Sequence, residues 1–229
     1  MERKFEFSEG EFYHLYNRGN GKANIFLTND DRKRFLKLLY ICNSSKPVVF
    51  KTIQGLPLDK IERGETIVNI GAYCLMPNHF HILAREKIKN GISVFMGKLL
   101  TAYSMYFNKK HERTGKLFEG VFRAVHADSD RYLEHLFIYI HLNPVKIVEP
   151  KWKEKGVLDS NNAKQFLENY LYSSYLDYSK DGISREEKAI IGKENFPEYF
   201  ENFKEFDFYV NEWLNYPRTP LGNTVDASF

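Results

Sequence analysis

The fold is decided by a stretch that reads IGAYCLMPNHFHILAR, residues 70–85. Its first half is apolar, the turn-forming pair Pro77-Asn78 stands in the middle, and large side chains resume after it. This pattern predicts two strands paired as a hairpin. Alternate side chains of a strand point to opposite faces of the sheet. His79 and His81 therefore share one face, and two neutral imidazoles on one face are the start of a metal site.

The elements around this hairpin follow the order strand, helix, two strands, helix, strand, helix. They are predicted at residues 12–19, about 31–43, 66–75, 79–85, about 92–111, 117–126 and about 131–142. Residues 47–64 are predicted to be a strand fragment followed by a loop. Pro144 is predicted to end the last helix, because the residue before a proline disfavours the helical conformation. The order is typical of an α+β domain with a ferredoxin-like antiparallel sheet.

Two parts of the chain differ in charge. Residues 1–150, the predicted α+β domain, hold 23 lysines and arginines against 16 aspartates and glutamates, a net charge of +7. Residues 151–229 hold 10 against 14, a net charge of −4. A basic domain with a differently employed extension is typical of polyanion binding; a chance asymmetry of a solvated surface is the alternative. Amphipathic stretches at 163–178 and 197–214 predict a mostly helical extension, with a flexible tail around 217–220.

The features that report on location predict a soluble cytoplasmic protein. Residues 1–6 lack an apolar signal segment, and no apolar run approaches membrane-spanning length. Cys42 and Cys74 have no metal-ligand spacing and are expected to be reduced thiols.

Polar side chains recur every four residues on the last helix of the domain. His135, Tyr139 and Asn143 share one face of it, beside the apolar stripe. Brought to the histidine face of the hairpin, this tyrosine would be a nucleophile for a phosphodiester, and the amide would join two imidazoles on a hard cation. The ordinary alternatives are two half-exposed histidines, a tyrosine at the rim of an amphipathic helix, and an asparagine at a helix C-terminus.

Two motifs in this order resemble the paired signature of a known family. They are PNHFHIL, residues 77–83, and YIHLNPVK, residues 139–146. Together they resemble the single-tyrosine HUH transposases, the IS200/IS605-type enzymes and the REP-associated tyrosine transposases. YHLYNRG, residues 13–19, and GKLFEGVFR, residues 115–123, are similar to two further strands of that family. The resemblance covers about residues 8–150.

The resemblance implies a site and a reaction. His79 and His81 would bind a divalent ion, Mg²⁺ or Mn²⁺, and Tyr139 would cleave one DNA strand and become joined to its 5′ phosphate. Asn143 stands where the third metal ligand is expected; insertion-sequence members more often have glutamine there, and asparagine is similar to the REP-associated group. The implied substrate is single-stranded DNA with hairpin or palindromic elements. Dimerisation is common in the insertion-sequence branch, whereas some REP-associated members resemble monomers, so a homodimer and a monomer both remain open. The extension is expected to help bind DNA or a partner.

Other residues and other functions remain open from the sequence. Candidate phosphate contacts are Arg18, Lys116 and Arg123, with structural salt bridges as the alternative. The remaining histidines are expected at the surface or behind the site: His14, His111, His126, His135 and His141. One alternative function is a non-catalytic nucleic-acid-binding regulator on the same fold. Another is a metal-dependent hydrolase that activates water and does not need Tyr139.

Overall fold

A computed structural model describes residues 6–47, 49–179, 184–200 and 202–215. Its strands are β1 Phe12–Arg18, β2 Val68–Met76, β3 His79–Glu86 and β4 Arg123–His126. Its α-helices are α1 Asn29–Cys42, α2 Gly91–Lys110, α3 Asp130–Leu142, α4 Val145–Val148, α5 Trp152–Lys155, α6 Ser160–Asn169, α7 Tyr175–Ser179 and α8 Phe203–Asn215. The predicted tail around 217–220 lies outside the described residues.

The strands form one antiparallel sheet in the order β2-β3-β1-β4. β2 and β3 are the predicted hairpin, joined by the two-residue turn Pro77-Asn78. Helix α1 connects β1 to β2 across β3, and helix α2 connects β3 to β4 across β1. This split arrangement is ferredoxin-like. The predicted α+β fold class is confirmed.

One face of the sheet packs on α1 and α2. Phe80 and Ile82 of β3 are fully buried on this side together with Phe35 of α1 and Tyr103 of α2. The Phe35 and Phe80 ring centroids lie 5.0 Å apart, a favourable distance for an aromatic pair. Phe80 therefore anchors the hairpin in the core and leaves the neighbouring histidines on the opposite face.

Helix α3 and the helices of the extension cover the opposite face. Side chains from the extension join the core of α3 and β2; they are Trp152, Ala163, Leu167, Tyr175, Phe206, Val210 and Leu214. As a result, residues 136–142 of α3 are buried on every side of the helix. The face of Tyr139 was expected beside the apolar stripe. It is buried because the extension lies over it.

The extension also hydrogen-bonds to β2, an edge strand of the sheet. Leu75 N donates to Tyr172 O over 2.9 Å, and Ser174 N donates to Tyr73 O over 3.0 Å. The Ser174 hydroxyl accepts from Tyr73 N over 2.9 Å. These bonds satisfy backbone groups that an edge strand would otherwise present to water.

A glycine in β2 lets the extension approach the sheet closely. A Cβ on Gly71 would lie only 2.6 Å from the Phe196 ring, and the pairing of β2 with β3 shifts register between Ile70 and Ala72. The division of the chain at residue 150 remains a prediction. Side chains from both sides of that point share one core.

Two predicted strands differ from the structure. β4 begins at Arg123 rather than at Leu117, because Gly120 turns the chain with a φ of 78° after a short bridge between Gly19 and Phe118. The strand fragment predicted within residues 47–64 is wrong. The described part of that stretch contains two 3₁₀ turns, Phe50–Ile53 and Leu58–Lys60, with Gly55 in the left-handed region between them.

Helix boundaries in the second half also differ. The helix predicted at 163–178 is two helices, because residues 172–174 run alongside β2 instead. The last one begins at Phe203 rather than near Pro197. α3 ends at Leu142 as predicted, but Pro144 does not force the preceding residue out of the helical conformation. Asn143 keeps helical dihedral angles, and Pro144 leads directly into α4, where its missing N–H has no cost.

A buried aspartate organises the start of α1. The Asp31 carboxylate accepts from Leu27 N, Thr28 N and Lys110 Nζ at 2.9, 2.8 and 2.9 Å. Thr28 Oγ1 accepts from Asp31 N, which completes a capping box. Burial alone would raise the pKa of Asp31, but the hydrogen bonds from Lys110, Thr28 and His111 hold it well below its usual range.

Asp31→Ala is expected to lower the free energy of unfolding at pH 7 by about 3–5 kcal/mol, because it removes a buried carboxylate and leaves Lys110 without it. Since the folded-state pKa is depressed, this stabilisation is complete above the unfolded-state pKa of about 3.9 and declines as the pH falls towards the folded-state value. Urea unfolding at pH 7 and pH 3 measures both effects. Asp30→Ala, an exposed neighbour, is the control and should change stability by less than about 1 kcal/mol. Equal losses in the two variants would contradict this role.

Candidate active site

The two histidines of β3 lie in rows of side chains that cross the sheet. Tyr16 of β1 is directly opposite His81, and Arg123 of β4 is directly opposite Tyr16. Arg18 is directly opposite His79. Opposed residues of antiparallel strands point to the same face. In these two rows, one face of the sheet therefore presents the imidazoles of His79 and His81, a phenol and two guanidinium groups.

His81 is held by a further histidine, His14 of β1. His14 Nε2 and His81 Nδ1 share a buried hydrogen bond of 2.8 Å, and the two rings stack with centroids 5.0 Å apart. If His81 coordinates a cation through Nε2, its proton must sit on Nδ1 and be donated to His14. His14 thus orients the His81 ring and selects the tautomer that binds metal.

His79 is positioned by the turn that precedes it. Its Nδ1 is 2.6 Å from Asn78 Oδ1, and its ring meets the His81 ring edge to face with centroids 5.0 Å apart. Burial, together with the nearby cations Lys146 and Lys153, lowers the pKa of His79 to about 3. Burial and the neighbouring histidines also lower the pKa of His81 well below its ordinary value. Both rings are neutral at neutral pH, the form that binds metal ions.

Helix α3 brings Tyr139 to these histidines. The helix forms because Leu133, Leu136 and Ile140 give it a continuous apolar face against the sheet. The Tyr139 ring lies edge-on to His81 with centroids 5.9 Å apart, and to His14 at 6.3 Å. The structure therefore brings the predicted nucleophile next to one of the predicted metal ligands.

Asn143 and a lysine complete the surroundings of Tyr139. Asn143 Nδ2 donates to the backbone oxygen of Tyr139 one turn earlier, over 3.1 Å. Lys153 of α5 donates to Tyr139 Oη over 2.6 Å, and its Nζ is 3.5 Å from Asn143 Oδ1. Burial, and then repulsion by Lys146, lowers the pKa of Lys153 to about 7.

The three predicted phosphate contacts have different surroundings. Arg18 forms an ion pair with Glu119, which includes a 3.2 Å bond from Nη2 to Oε1. Arg123 is exposed at the edge of the sheet, on the face that carries His81. Lys116 is exposed in the loop that follows α2. Arg18 and Arg123 thus border the histidine face, while their contact with DNA remains a prediction.

Sequence reasoning missed two residues of the site. His14 was expected only at the surface or behind the site. Alternation along β1 puts it on one face with Tyr16, but only the pairing of β1 with β3 shows that this is the face of His81. Lys153 carried no signal, because nothing in the spacing of the extension shows that α5 returns to α3. Of the remaining histidines, His135 contacts the Trp213 ring at a tilted angle with centroids 4.6 Å apart, and buried His141 shares a hydrogen bond of 2.7 Å with Ser174 Oγ. Both pair with residues of the extension.

The residues present fit a divalent cation. Within the described ranges, no three His, Cys, Asp or Glu side chains form a metal cluster. An ion held by His79 and His81 would therefore take further ligands from an amide such as that of Asn143, from substrate oxygens or from water. Oxygen ligands added to imidazoles suit Mg²⁺ and Mn²⁺.

The chain is similar to a known protein family and to a solved structure. The family described as "Transposase IS200 like" matches residues 58–143. The predicted resemblance to the IS200-like transposases is confirmed. A solved structure described as a REP-associated tyrosine transposase bound to a REP hairpin is also similar, with 13% identity and a TM-score of 0.49 over 82% of this chain and 90% of that chain. None of the curated proteins matches the chain.

The IS200-like segment contains His79, His81, Tyr139 and Asn143, and supports a transposase-like role. His14 precedes the segment and Lys153 follows it. In the part of the chain that the structure describes, no helix is long and apolar enough to cross a membrane.

Proposed function

We propose that the chain is a metal-dependent single-stranded DNA endonuclease and strand transferase that uses Tyr139 as its nucleophile. One observation carries the proposal: α3 places the Tyr139 ring 5.9 Å from the His81 ring, on the face of the sheet that also carries His79. A tyrosine beside two neutral imidazoles combines a nucleophile with ligands for a cation. In the IS200-like segment, residues 58–143, His79 and His81 precede Tyr139 and Asn143, an order consistent with this role.

The reaction exchanges one phosphodiester for another. The Tyr139 oxygen forms a bond to phosphorus, the bond from phosphorus to the 3′ oxygen breaks, and the hydroxyl proton of the tyrosine is lost to water. The leaving 3′ oxygen takes a proton and becomes a hydroxyl, while the 5′ phosphate stays on the tyrosine. Because the new ester keeps the bond energy of the old one, a 3′-hydroxyl can reverse the step and join strands without ATP.

His79, His81 and Asn143 would hold the cation, Mg²⁺ or Mn²⁺. When bound, the cation supplies positive charge to the non-bridging oxygens of the phosphate. The chain's own contribution is orientation. The hydrogen bonds of His81 with His14 and of His79 with Asn78 engage both Nδ1 atoms, so we assign coordination to the Nε2 atoms.

The substrate proposed is single-stranded DNA with a hairpin or palindromic element. Arg18 and Arg123 lie beside His79 and His81 on the sheet. Lys146 of α4 and Lys153 of α5 are close enough to His79 for their positive charge to lower its pKa. Cations on both sides suit a phosphate backbone that crosses the site. Unpaired bases would stack on aromatic side chains, each stack contributing about 1–3 kcal/mol.

The test is incubation of the full chain with an end-labelled hairpin that has single-stranded flanks, with Mg²⁺, with Mn²⁺, or with a chelator. We expect a denaturation-resistant adduct that forms only with metal, releases a strand with a free 3′-hydroxyl, and maps by peptide mass spectrometry to Tyr139. Cleavage without an adduct would favour the water-activating hydrolase. Salt-dependent binding without cleavage would favour the non-catalytic regulator. Either outcome would overturn the proposal.

A further inference from the structure

A lysine from the extension contacts the proposed nucleophile. Lys153 donates to Tyr139 Oη over 2.6 Å, and its ammonium lies 4.3 Å from the centroid of the same ring. One cation thus touches both the oxygen that would attack and the ring that carries it. Lys153 follows Asn143 by ten residues and lies outside the IS200-like segment, so the extension supplies a group to the site.

The helix that carries Lys153 is fixed in place. Trp152 is buried against the core of α3, and its backbone N–H donates to Glu149 O over 3.1 Å. The Glu149 carboxylate in turn accepts from Leu158 N and Asp159 N at 2.7 and 3.0 Å. The chain is therefore secured before and after α5. A group held in position before reaction loses little freedom during it.

We propose that Lys153 is a catalytic residue of the strand-cleavage step, whose ammonium holds the attacking oxygen of Tyr139 and offsets the negative charge that develops between this oxygen and the phosphate. This inference rests on the proposed function. Bond making and breaking are as described above: the tyrosine oxygen bonds to phosphorus, and the 3′ oxygen leaves and takes a proton from water. Lys153 gains and loses no proton. In its protonated form it supplies a positive charge and a hydrogen-bond donor.

The surroundings favour this role over a purely structural tether. Tyr139 is only 6% exposed and Lys153 is half-buried, so little water screens the charge between them. Lys153 Nζ also lies 3.5 Å from Asn143 Oδ1, so the ammonium sits beside both the proposed nucleophile and a proposed metal ligand. Preorganised donors aimed at developing charge commonly contribute about 10²- to 10³-fold in rate.

Four variants separate catalysis from packing. Lys153→Met keeps an unbranched stem against the ring and removes the charge. Lys153→Gln is a second neutral variant in case the first does not fold, and Lys153→Arg restores a positive donor. Lys155→Met, an exposed position on the same helix, is the matched control. Thermal unfolding establishes that each variant is folded before its activity is compared.

The measurement is the single-turnover rate of adduct formation at saturating hairpin and Mn²⁺, with hairpin affinity measured separately. We expect the neutral variants to lower the rate about 100-fold while affinity stays within about threefold, Lys153→Arg to recover at least about tenfold, and Lys155→Met to match the wild type. A packing role would instead change stability and leave the rate of folded protein unaltered. Neutral variants as fast as an active wild type would overturn the inference and leave the proposed function standing.

A second readout does not depend on activity. In protein labelled with ¹³C at the tyrosine ring carbon that bears the hydroxyl, the Tyr139 signal is identified by its absence in Tyr139→Phe. We expect it to shift in Lys153→Met and not in Lys155→Met. If the wild type forms no adduct, the proposed function fails and the catalytic role of Lys153 fails with it. In that case, a chemical-shift change in Lys153→Met would show that the contact with Tyr139 is structural. No shift would contradict the contact itself.

Discussion

Tyr139→Phe is expected to abolish the protein–DNA adduct, with a loss of at least about 10⁴-fold in the rate of strand cleavage. The variant lacks the one oxygen that would bond to phosphorus, and keeps the ring that packs against His81 and His14. Hairpin affinity should stay within about twofold, because the hydroxyl group is not among the proposed phosphate contacts. Denaturing electrophoresis of the end-labelled hairpin measures the adduct, and a filter-binding titration measures affinity.

Two other tyrosines sharpen this test. Tyr132 lies on α3 two turns before Tyr139, so Tyr132→Phe changes the same helix without changing the site. Tyr16 lies on the histidine face, with its ring centroid 6.2 Å from that of His81. An adduct that persists in Tyr139→Phe and disappears in Tyr16→Phe would transfer the nucleophile to β1. Loss in Tyr139→Phe alone is the expected result.

His81→Ala is expected to lower the metal-dependent cleavage rate by about 1,000-fold, which corresponds to about 4 kcal/mol of transition-state stabilisation. The substitution removes a coordinating ring and leaves the His14 ring without the 2.8 Å partner that orients it. Mn²⁺ affinity should fall in parallel. Electron paramagnetic resonance of free Mn²⁺ measures this directly, with or without DNA.

The control for this variant is His126→Ala. His126 lies on β4 opposite Tyr13 and pairs with Glu11 over 2.8 Å, so it belongs to the other face of the sheet. Its loss should leave Mn²⁺ affinity and cleavage within about twofold of the wild type. A His81→Ala protein that binds Mn²⁺ normally would remove His81 from the metal site. Hairpin affinity in the presence of a chelator should be similar in the wild type, His81→Ala and His126→Ala.

Much of the fold was predictable because its determinants are local. The turn Pro77-Asn78 and the period-2 alternation around Phe80 specify the hairpin and its two faces without reference to the rest of the chain. The helix over 131–142 follows from apolar residues three and four apart. The break between α6 and α7 was not predictable, since a long-range pairing with β2 overrides the helical pattern there.

The site divides in the same way. His79 and His81 sit on one strand, and Tyr139 and Asn143 sit one turn apart on one helix, so the spacing within each pair follows from backbone geometry alone. The meeting of the two pairs, and the arrival of His14 and Lys153, depend on how separate elements pack. Resemblance to the IS200-like family predicted that the two pairs meet. The positions of His14 and Lys153 are seen only in the three-dimensional structure.

The pairing of residues 172–174 with β2 has a consequence for any shortened form of the chain. A protein cut near residue 150 would retain the IS200-like segment but would uncover one long side of the sheet, from Ile70 to Leu75, and the apolar surface of α3. Bare sheet edges next to apolar surface are templates for aggregation between molecules. The extension therefore shields this edge and the apolar face of α3, and we expect a form cut near residue 150 to aggregate more readily than the full chain.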